Sequence, residues 1–302
     1  IRDSVKYYVR KLLGRFRYEP NIDRSKHKPP LLKTPSLDGH RFLFFAGLHR
    51  SGTSVLHRLL RHHPATAGIH DAGVPEDEGQ FLQTVFPTGR FFGASGHFAF
   101  SPGAHLTEAS DLVSARNREK LLREWGAYYD LGKPVYLEKS PPNVIRSRFF
   151  QELFPESRFV FILRHPVAVA MATRKWAKSS PMELLMHWYL AHRILFDDLR
   201  FLRDYMVFRY EDFVLDPQLY CDEICRFAEI EPIGVAEQVK DHNAKYFSEW
   251  GGGFEGERYM LNEYLGDIVS FYRQLGYSIE EPYLSEIESG PFIARAGAAE
   301  IV

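Results

Sequence analysis

Phe42-Leu-Phe-Phe-Ala-Gly-Leu-His-Arg-Ser-Gly-Thr-Ser-Val-Leu56 reads as a strand, a tight turn and the opening of a helix. The apolar run from Phe42 to Ala46 has the composition of a strand buried on both faces of a parallel sheet. Gly47, Ser51, Gly52, Thr53 and Ser54 supply the turn, and Val55-Leu-His-Arg-Leu-Leu60 begins the helix. Such a turn gathers several backbone N–H groups and the positive end of a helix around one point, which suits a phosphate group. Gly47 and Gly52 keep the spacing of the nucleotide loop G-x-x-x-x-G-K-[ST], but Thr53 stands in the place of its lysine. That lysine reaches the β- and γ-phosphates of a nucleoside triphosphate, so ATP and GTP fit poorly. Arg50, the cation of this loop, faces a differently placed anion.

Working outward, strand and helix patterns alternate. Pro134 to Glu138 and Arg158 to Leu163 read as strands, each followed by a helix, the second spanning Val167 to Trp176. A helix over 181–204 leads to a strand at Tyr205 to Phe208, short helices fill 211–241, and 262–275 is another helix. A long helix is expected from Ala109 to Leu131, and residues 65–108 read as turns dense in Gly, Pro, His and aromatics. The pattern predicts an α/β, P-loop-like three-layer fold: a central, mostly parallel sheet flanked by helices. Ligands of such sheets bind beyond the carboxyl ends of the strands. Four polar clusters fall there, at 47–54, 138–140, 164–166 and 209–212.

The 302 residues show no linker, so 41–302 is read as one domain, preceded by a lead-in over 1–40. Residues 1–17 place Ile1, Val5, Tyr8, Val9, Leu12, Leu13 and Phe16 on one helical face with lysines and arginines elsewhere. Packing on its own domain is the first reading of this basic amphipathic helix; a peripheral membrane or partner contact is the second. Residues 1–33 hold ten Lys or Arg against three Asp or Glu, yet the whole chain is at −1, which gives no case for nucleic acid. The longest apolar run is far below the roughly 20 residues that cross a bilayer, and no signal peptide is visible. Because the chain starts at Ile1, an upstream anchor stays open. Cys221 and Cys225 form neither a disulfide framework nor a zinc pattern, and no glycosylation sequon is present. These features point to the cytoplasm.

A second anion site is written into the end of another strand. Arg164 closes the apolar run 159–163, where a Mg²⁺-dependent nucleotide enzyme would carry an aspartate. Pro166 lies in the first helical turn, so free N–H groups face the same point. Two anion sites at neighbouring strand ends imply a nucleotide phosphorylated at two places.

Three segments together resemble the sulfotransferase family: Gly47-Leu-His-Arg-Ser-Gly-Thr-Ser54, Phe159-Val-Phe-Ile-Leu-Arg-His-Pro166 and Tyr210-Glu-Asp-Phe-Val-Leu-Asp-Pro217. The ordered match spans about residues 42–217. The resemblance implies 3′-phosphoadenosine 5′-phosphosulfate (PAPS) as co-substrate, with Arg50, Ser51, Gly52, Thr53 and Ser54 on the 5′-phosphosulfate and Arg164 on the 3′-phosphate. Family members add a serine eight residues after this arginine; here that position is Ala172, with Thr173 or Arg174 as substitutes. Tyr210 is implied to contact the adenine, its alternative being a core tyrosine at a strand end. Glu138-Lys139-Ser140-Pro141 resembles the segment whose lysine lies near the transferred group, where an ammonium meets the charge that grows as the S–O bond breaks.

The acceptor needs a base. His70 to Gln80 holds the candidate carboxylates, in the position where several family members place theirs: Glu78 first, then Glu76, then Asp71, with His70, His97 and His105 as alternatives. Burial beside aromatics would raise the carboxyl pKa towards neutrality. His97, Phe98, Phe100, His105 and Phe81, Phe86, Phe91 and Phe92 are candidates to shape an acceptor pocket. Trp250-Gly-Gly-Gly253 with Arg258 stands where the family often closes a loop over the nucleotide. The expected reaction moves a sulfuryl group from PAPS to a hydroxyl or amine of a small-molecule or glycan acceptor, with Glu78, Lys139 and Arg50 catalytic and no metal. The alternatives are an ATP-dependent small-molecule kinase and a non-catalytic nucleotide-binding relative. The kinase would need a loop lysine and an aspartate for Mg²⁺, for which Glu211 and Asp212 are the only semblance.

Overall fold

The computed structural model describes residues 40–235, 239–282 and 293–296, with backbone alone at 293 and 294. The basic N-terminal helix and most of the lead-in expected from the sequence lie outside these residues. Five strands form a parallel sheet: β1 (Arg41–Ala46), β2 (Thr66–Gly68), β3 (Val135–Lys139), β4 (Arg158–Leu163) and β5 (Tyr205–Arg209). A short β6 (Ile293–Arg295) pairs antiparallel with β5, and the spatial order is β2-β3-β1-β4-β5-β6. The ten α-helices among the described residues are α1 (Thr53–Leu60), α2 (Ala115–Gly126), α3 (Ser147–Leu153), α4 (Pro166–Thr173), α5 (Pro181–Leu199), α6 (Tyr210–Leu215), α7 (Pro217–Phe227), α8 (Asn243–Gly251), α9 (Glu255–Tyr264) and α10 (Gly266–Gln274).

The apolar run in β1 is continuous because both faces are covered. Phe42, Phe44 and Ala46 point into one core with Trp125 of α2, Phe150 of α3, and residues of α4 and α5. Leu43 and Phe45 point into the other with Leu56 and Leu60 of α1 and Tyr220 and Ile224 of α7. Phe44 and Phe150 stack at 4.6 Å between ring centroids, and Phe42 and Phe154 meet at the same distance with their rings tilted by 46°. Each fully buried phenylalanine contributes about 1.5–3 kcal/mol. All eight residues of α4 are buried, which explains a helix without a polar face. Among the described residues, no helix is long and apolar enough to cross a membrane.

Several boundaries differ from the sequence reading, each for a local reason. The helix expected from Ala109 starts only after Ser114, whose hydroxyl accepts the Asn117 N–H at 3.2 Å and caps it. Residues 109–113 are turns. The helix after Pro142 begins as a 3₁₀ segment, Pro141–Ile145, before α3. The single helix expected over 262–275 is two, α9 and α10, which meet at Leu265. β2 and β6, three residues each, carry too little pattern to be read.

Candidate active site

Strands β3, β1, β4 and β5 are neighbours and parallel, so their carboxyl ends form one rim. Lys139 ends β3, the 47–52 loop follows β1, Arg164 follows β4 and Tyr210 follows β5. The topology thereby brings the four polar clusters of the sequence together.

The loop after β1 is fixed by close approach. A Cβ on Gly47 would lie 2.5 Å from the Ile162 carbonyl oxygen of β4, so only glycine passes this point. Arg50 (φ 71°) and Gly52 (φ 103°) flank Ser51 in left-handed conformations, and the Ser51 N–H closes the turn on the Leu48 carbonyl at 3.0 Å. This geometry turns backbone N–H groups inward, and the first turn of α1 adds N–H groups that have no acceptor within the helix. The Ser51 hydroxyl is completely buried and, among the described residues, has no hydrogen-bond partner. Tyr210 lies so close to Gly52 that a Cβ there would be 2.6 Å from its ring.

Arg164 is 6% exposed and is tied to the loop. Its Nη1 donates to the Arg50 carbonyl at 2.9 Å, and its Nε donates to Asn243 Oδ1 at 3.0 Å. Its guanidinium carbon stands 4.3 Å over the Tyr210 ring. Nη2 is buried and has no acceptor among the described residues. Asn243 is in turn held by Glu211, which accepts from the Asn243 side chain at 2.6 Å, from the His165 N–H at 2.9 Å and from the Tyr277 hydroxyl at 3.1 Å. Asn243, Glu211 and Tyr277 were not assigned from the sequence. They lie far apart along the chain, and only the fold shows that they support one guanidinium. Arg50 divides its groups: the carbonyl holds Arg164, and the guanidinium lies 4.7 Å over the ring of Trp176.

Lys139 is 2% exposed, with Nζ donating to the Glu76 carbonyl at 2.6 Å and standing 3.8 Å from Glu78 Oε1. Glu78 is 4% exposed, and the Gln80 side chain donates to its Oε2. Burial raises the Glu78 carboxyl to about 7, with Lys139 and the Gln80 bond opposing the rise. Glu76 and Asp71 are exposed. Glu76 nevertheless reaches the loop, its Oε2 accepting from the Ser54 hydroxyl at 3.1 Å. Glu76 and Asp77 have φ of 53° and 50°, left-handed values that cost energy in residues with a Cβ.

His49 was missed by the sequence reading, although it stands inside the loop motif. Its Nδ1 is buried without a partner among the described residues, and burial followed by the charge of Lys139 pushes its pKa down to about 3. The imidazole is therefore neutral. Of the other histidines considered, His105 bonds Asp198 at 2.8 Å in an ion-pair group with Arg148, and His70 bonds the Gly68 carbonyl at 3.0 Å. His97 bonds Ser179 at 2.9 Å. Thr173 is buried at the end of α4 and faces a small void shared with Leu48 and His49. Phe98 and Phe100 pack on His187, and Phe86 packs on Phe149 and Phe150. Trp250 to Gly253 is not an open loop: Trp250 is buried in α8, Gly251 ends that helix, and Arg258 donates to the Trp250 carbonyl at 2.8 Å.

An α/β sheet with a glycine-bounded anion loop after its first strand and a buried arginine after its fourth defines a class of group-transfer proteins. The chain belongs to the sulfotransferase family, whose model matches residues 43–233. No curated protein sequence matches it. Sulfotransferase STF9 from Mycobacterium avium is similar in structure, 15% identical over 89% of this chain and 84% of that one, with a TM-score of 0.50. Sulfotransferase STF1 from Mycobacterium tuberculosis H37Rv is 16% identical over 75% of this chain and 77% of that one, at 0.43. A sulfotransferase from Alicyclobacillus acidocaldarius is 17% identical over 76% and 98% respectively, also at 0.43. At these identities the likeness concerns the fold.

Proposed function

We propose that the protein transfers a sulfuryl group from PAPS to a hydroxyl or amine acceptor. The observation that carries this reading is the pairing of two buried anion sites on one rim. The Ser51 hydroxyl and Arg164 Nη2 are both buried without partners among the described residues, one in the loop and one joined to it through the Arg50 carbonyl. Leaving such groups unpaired costs about 1–3 kcal/mol each, more for a charged one, which an anionic ligand would relieve. The loop N–H groups with Ser51, Thr53 and Ser54 would take the 5′-phosphosulfate. Arg164 would take the 3′-phosphate that separates this donor from ATP, and Tyr210 would lie along the adenosine.

In the transfer step the acceptor oxygen or nitrogen attacks sulfur opposite the 5′-phosphate, and its proton passes to Glu78. The bond from sulfur to the bridging oxygen breaks, and its electron pair stays on the 5′-phosphate. Lys139 and the loop N–H groups neutralise that charge. The products are the sulfated acceptor and 3′,5′-bisphosphoadenosine. A carboxylate held near neutrality by burial is suited to take the proton, so the rate should rise with pH through about 7. Before donor binds, Glu76 engages both Ser54 and Lys139. The carboxylate of Glu76 accepts from Ser54 and its main-chain carbonyl from Lys139, so a donor phosphate reaching both would compete with Glu76.

Thermal-shift titration with 3′,5′-bisphosphoadenosine beside ATP and Mg²⁺ tests the assignment. Selective stabilisation by the bisphosphate is the expected result. Preference for ATP with Mg²⁺ would contradict it and favour phosphoryl transfer.

A further inference from the structure

A cleft of about 430 Å³ opens beside the loop that follows β1. One wall is Gly93, Ala94, Ser95 and His97; the other includes Trp176, Lys178 and Ser179. The His97–Ser179 hydrogen bond ties the walls together. Two observations join the cleft to the transfer site. The Arg50 guanidinium lies over the Trp176 ring, and Gly96 borders a water-sized void whose other walls include Leu48 and His49 of the loop.

The chemistry of the cleft is specific. Trp176 is 61% exposed, whereas Trp125, Trp188 and Trp250 are all buried, so this indole offers a flat apolar face to solvent. Lys178 is exposed at the cleft and Arg50 is exposed at the edge of the indole. On the opposite wall Gly93, Ala94 and Gly96 have φ of 98°, 64° and 83°. Among the described residues, the N–H of Ser95, which lines the cleft, makes no hydrogen bond to a backbone carbonyl. Left-handed turns with free N–H groups form concavities for anions. Among the described residues, no carboxylate lines the cleft. Glu183, whose charge reaches His97, is engaged by the Ser180 N–H at 2.8 Å in capping α5. Burial lowers the His97 pKa, which leaves the lysine and arginine as the cations.

We propose that this cleft binds the acceptor, and that the acceptor is an acidic saccharide. The inference rests on the sulfuryl-transfer reading for its role but not for its binding chemistry. A sugar ring presents a face of C–H groups that packs on an exposed indole. Its hydroxyls match Ser95, Ser179 and His97, and a carboxylate or sulfate on the ring meets Lys178 and the Ser95 N–H. A neutral phenol would use the indole but leave the cations and the Ser95 N–H unanswered.

The test is a fluorescence titration with three disaccharides of equal size: one containing a hexuronate, one carrying a sulfate and one neutral. It is run with and without 3′,5′-bisphosphoadenosine. Both acidic sugars are expected to bind at least about tenfold more tightly than the neutral one and to shift indole emission. Preference for only one acidic sugar supports the proposal and names its anionic group. Trp176→Ala should remove the emission shift and most binding, and Lys178→Ala should lower the acidic preference at least about fivefold. Neither substitution should alter stabilisation by the bisphosphate. Equal binding of neutral and acidic sugars, binding indifferent to both substitutions, or displacement of the sugar by the bisphosphate would overturn the proposal. Saccharide binding without any stabilisation by bisphosphate would support the acidic-sugar cleft and remove the donor reading instead.

Discussion

The two sides of the rim are built in opposite ways. The side formed by the 47–52 loop, α1 and the end of β4 uses regular elements, in which glycines at fixed points and a helix start aim N–H groups at one place. The facing side, residues 70–104, has no α-helix. It is a chain of five 3₁₀ turns with left-handed backbone at Asp71, Glu76, Asp77 and Ala94. Side chains hold it in place of a backbone ladder. Gln80 accepts the Gly89 N–H at 2.7 Å, Glu124 accepts the Thr84 N–H at 2.7 Å, and the Trp125 indole donates to the Gly79 carbonyl at 2.9 Å. The regular side suits an invariant ligand such as a nucleotide. The irregular side carries the base candidate and one cleft wall, where acceptor specificity has to be set.

This contrast predicts different responses to substitution. Lys139→Ala acts at the end of β3, beside the regular side, and removes the cation proposed to meet the departing phosphate. Turnover, followed as bisphosphate formed from PAPS, should fall about 10²–10³-fold, with bisphosphate affinity changed only a few-fold. Loss concentrated in affinity would move Lys139 from transition-state to ground-state binding. Glu78→Gln acts on the irregular side and should lower turnover about 10²-fold.

Glu78→Gln should also change stability in a pH-dependent way. Burial keeps Glu78 protonated up to about pH 7, against an ordinary 4.5, so the folded chain holds this proton more tightly than the unfolded one. Ionising Glu78 therefore costs stability above pH 7, and the cost fades as pH falls towards 4.5. The variant should melt higher than the parent at pH 8, by about 1–2 kcal/mol in stability, and alike at pH 4. A variant less stable at pH 8 would mean that attraction to Lys139 outweighs burial. The smallest effect is the most diagnostic of the facing side. Glu76→Ala removes the internal anion on Ser54 and should tighten bisphosphate binding about three- to fivefold, in line with one exposed hydrogen bond. Weaker binding, measured by calorimetry, would make Glu76 a ligand rather than a competitor.

The same contrast explains what could be read from the sequence. β1, β4 and β5 are buried on both faces, so their apolar runs stand out, and loop residues from Gly47 to Ser54 are contiguous. Arg164 was legible because it directly follows such a run. Lys139 needed the resemblance, since Glu138 and Lys139 interrupt the apolar pattern of β3. The irregular side has no periodicity to detect, and left-handed φ at Glu76, Asp77 and Ala94 is invisible in residue types that seldom adopt it. The support of Arg164 by Asn243, Glu211 and Tyr277 depends on long-range packing of α6 and α8. The stacking of Arg50 on Trp176 depends likewise on a long-range approach, of the segment after α4 to the loop after β1.

Calorimetric titration of Arg164→Ala with 3′,5′-bisphosphoadenosine and with adenosine 5′-phosphate bears most directly on the paired anion sites. The account predicts a loss on the order of 100-fold for the bisphosphate, the worth of a charge-assisted hydrogen bond in a buried site, and little change for the monophosphate. Equal losses for both nucleotides would contradict it, because Arg164 would then be holding the loop through the Arg50 carbonyl and not a second phosphate.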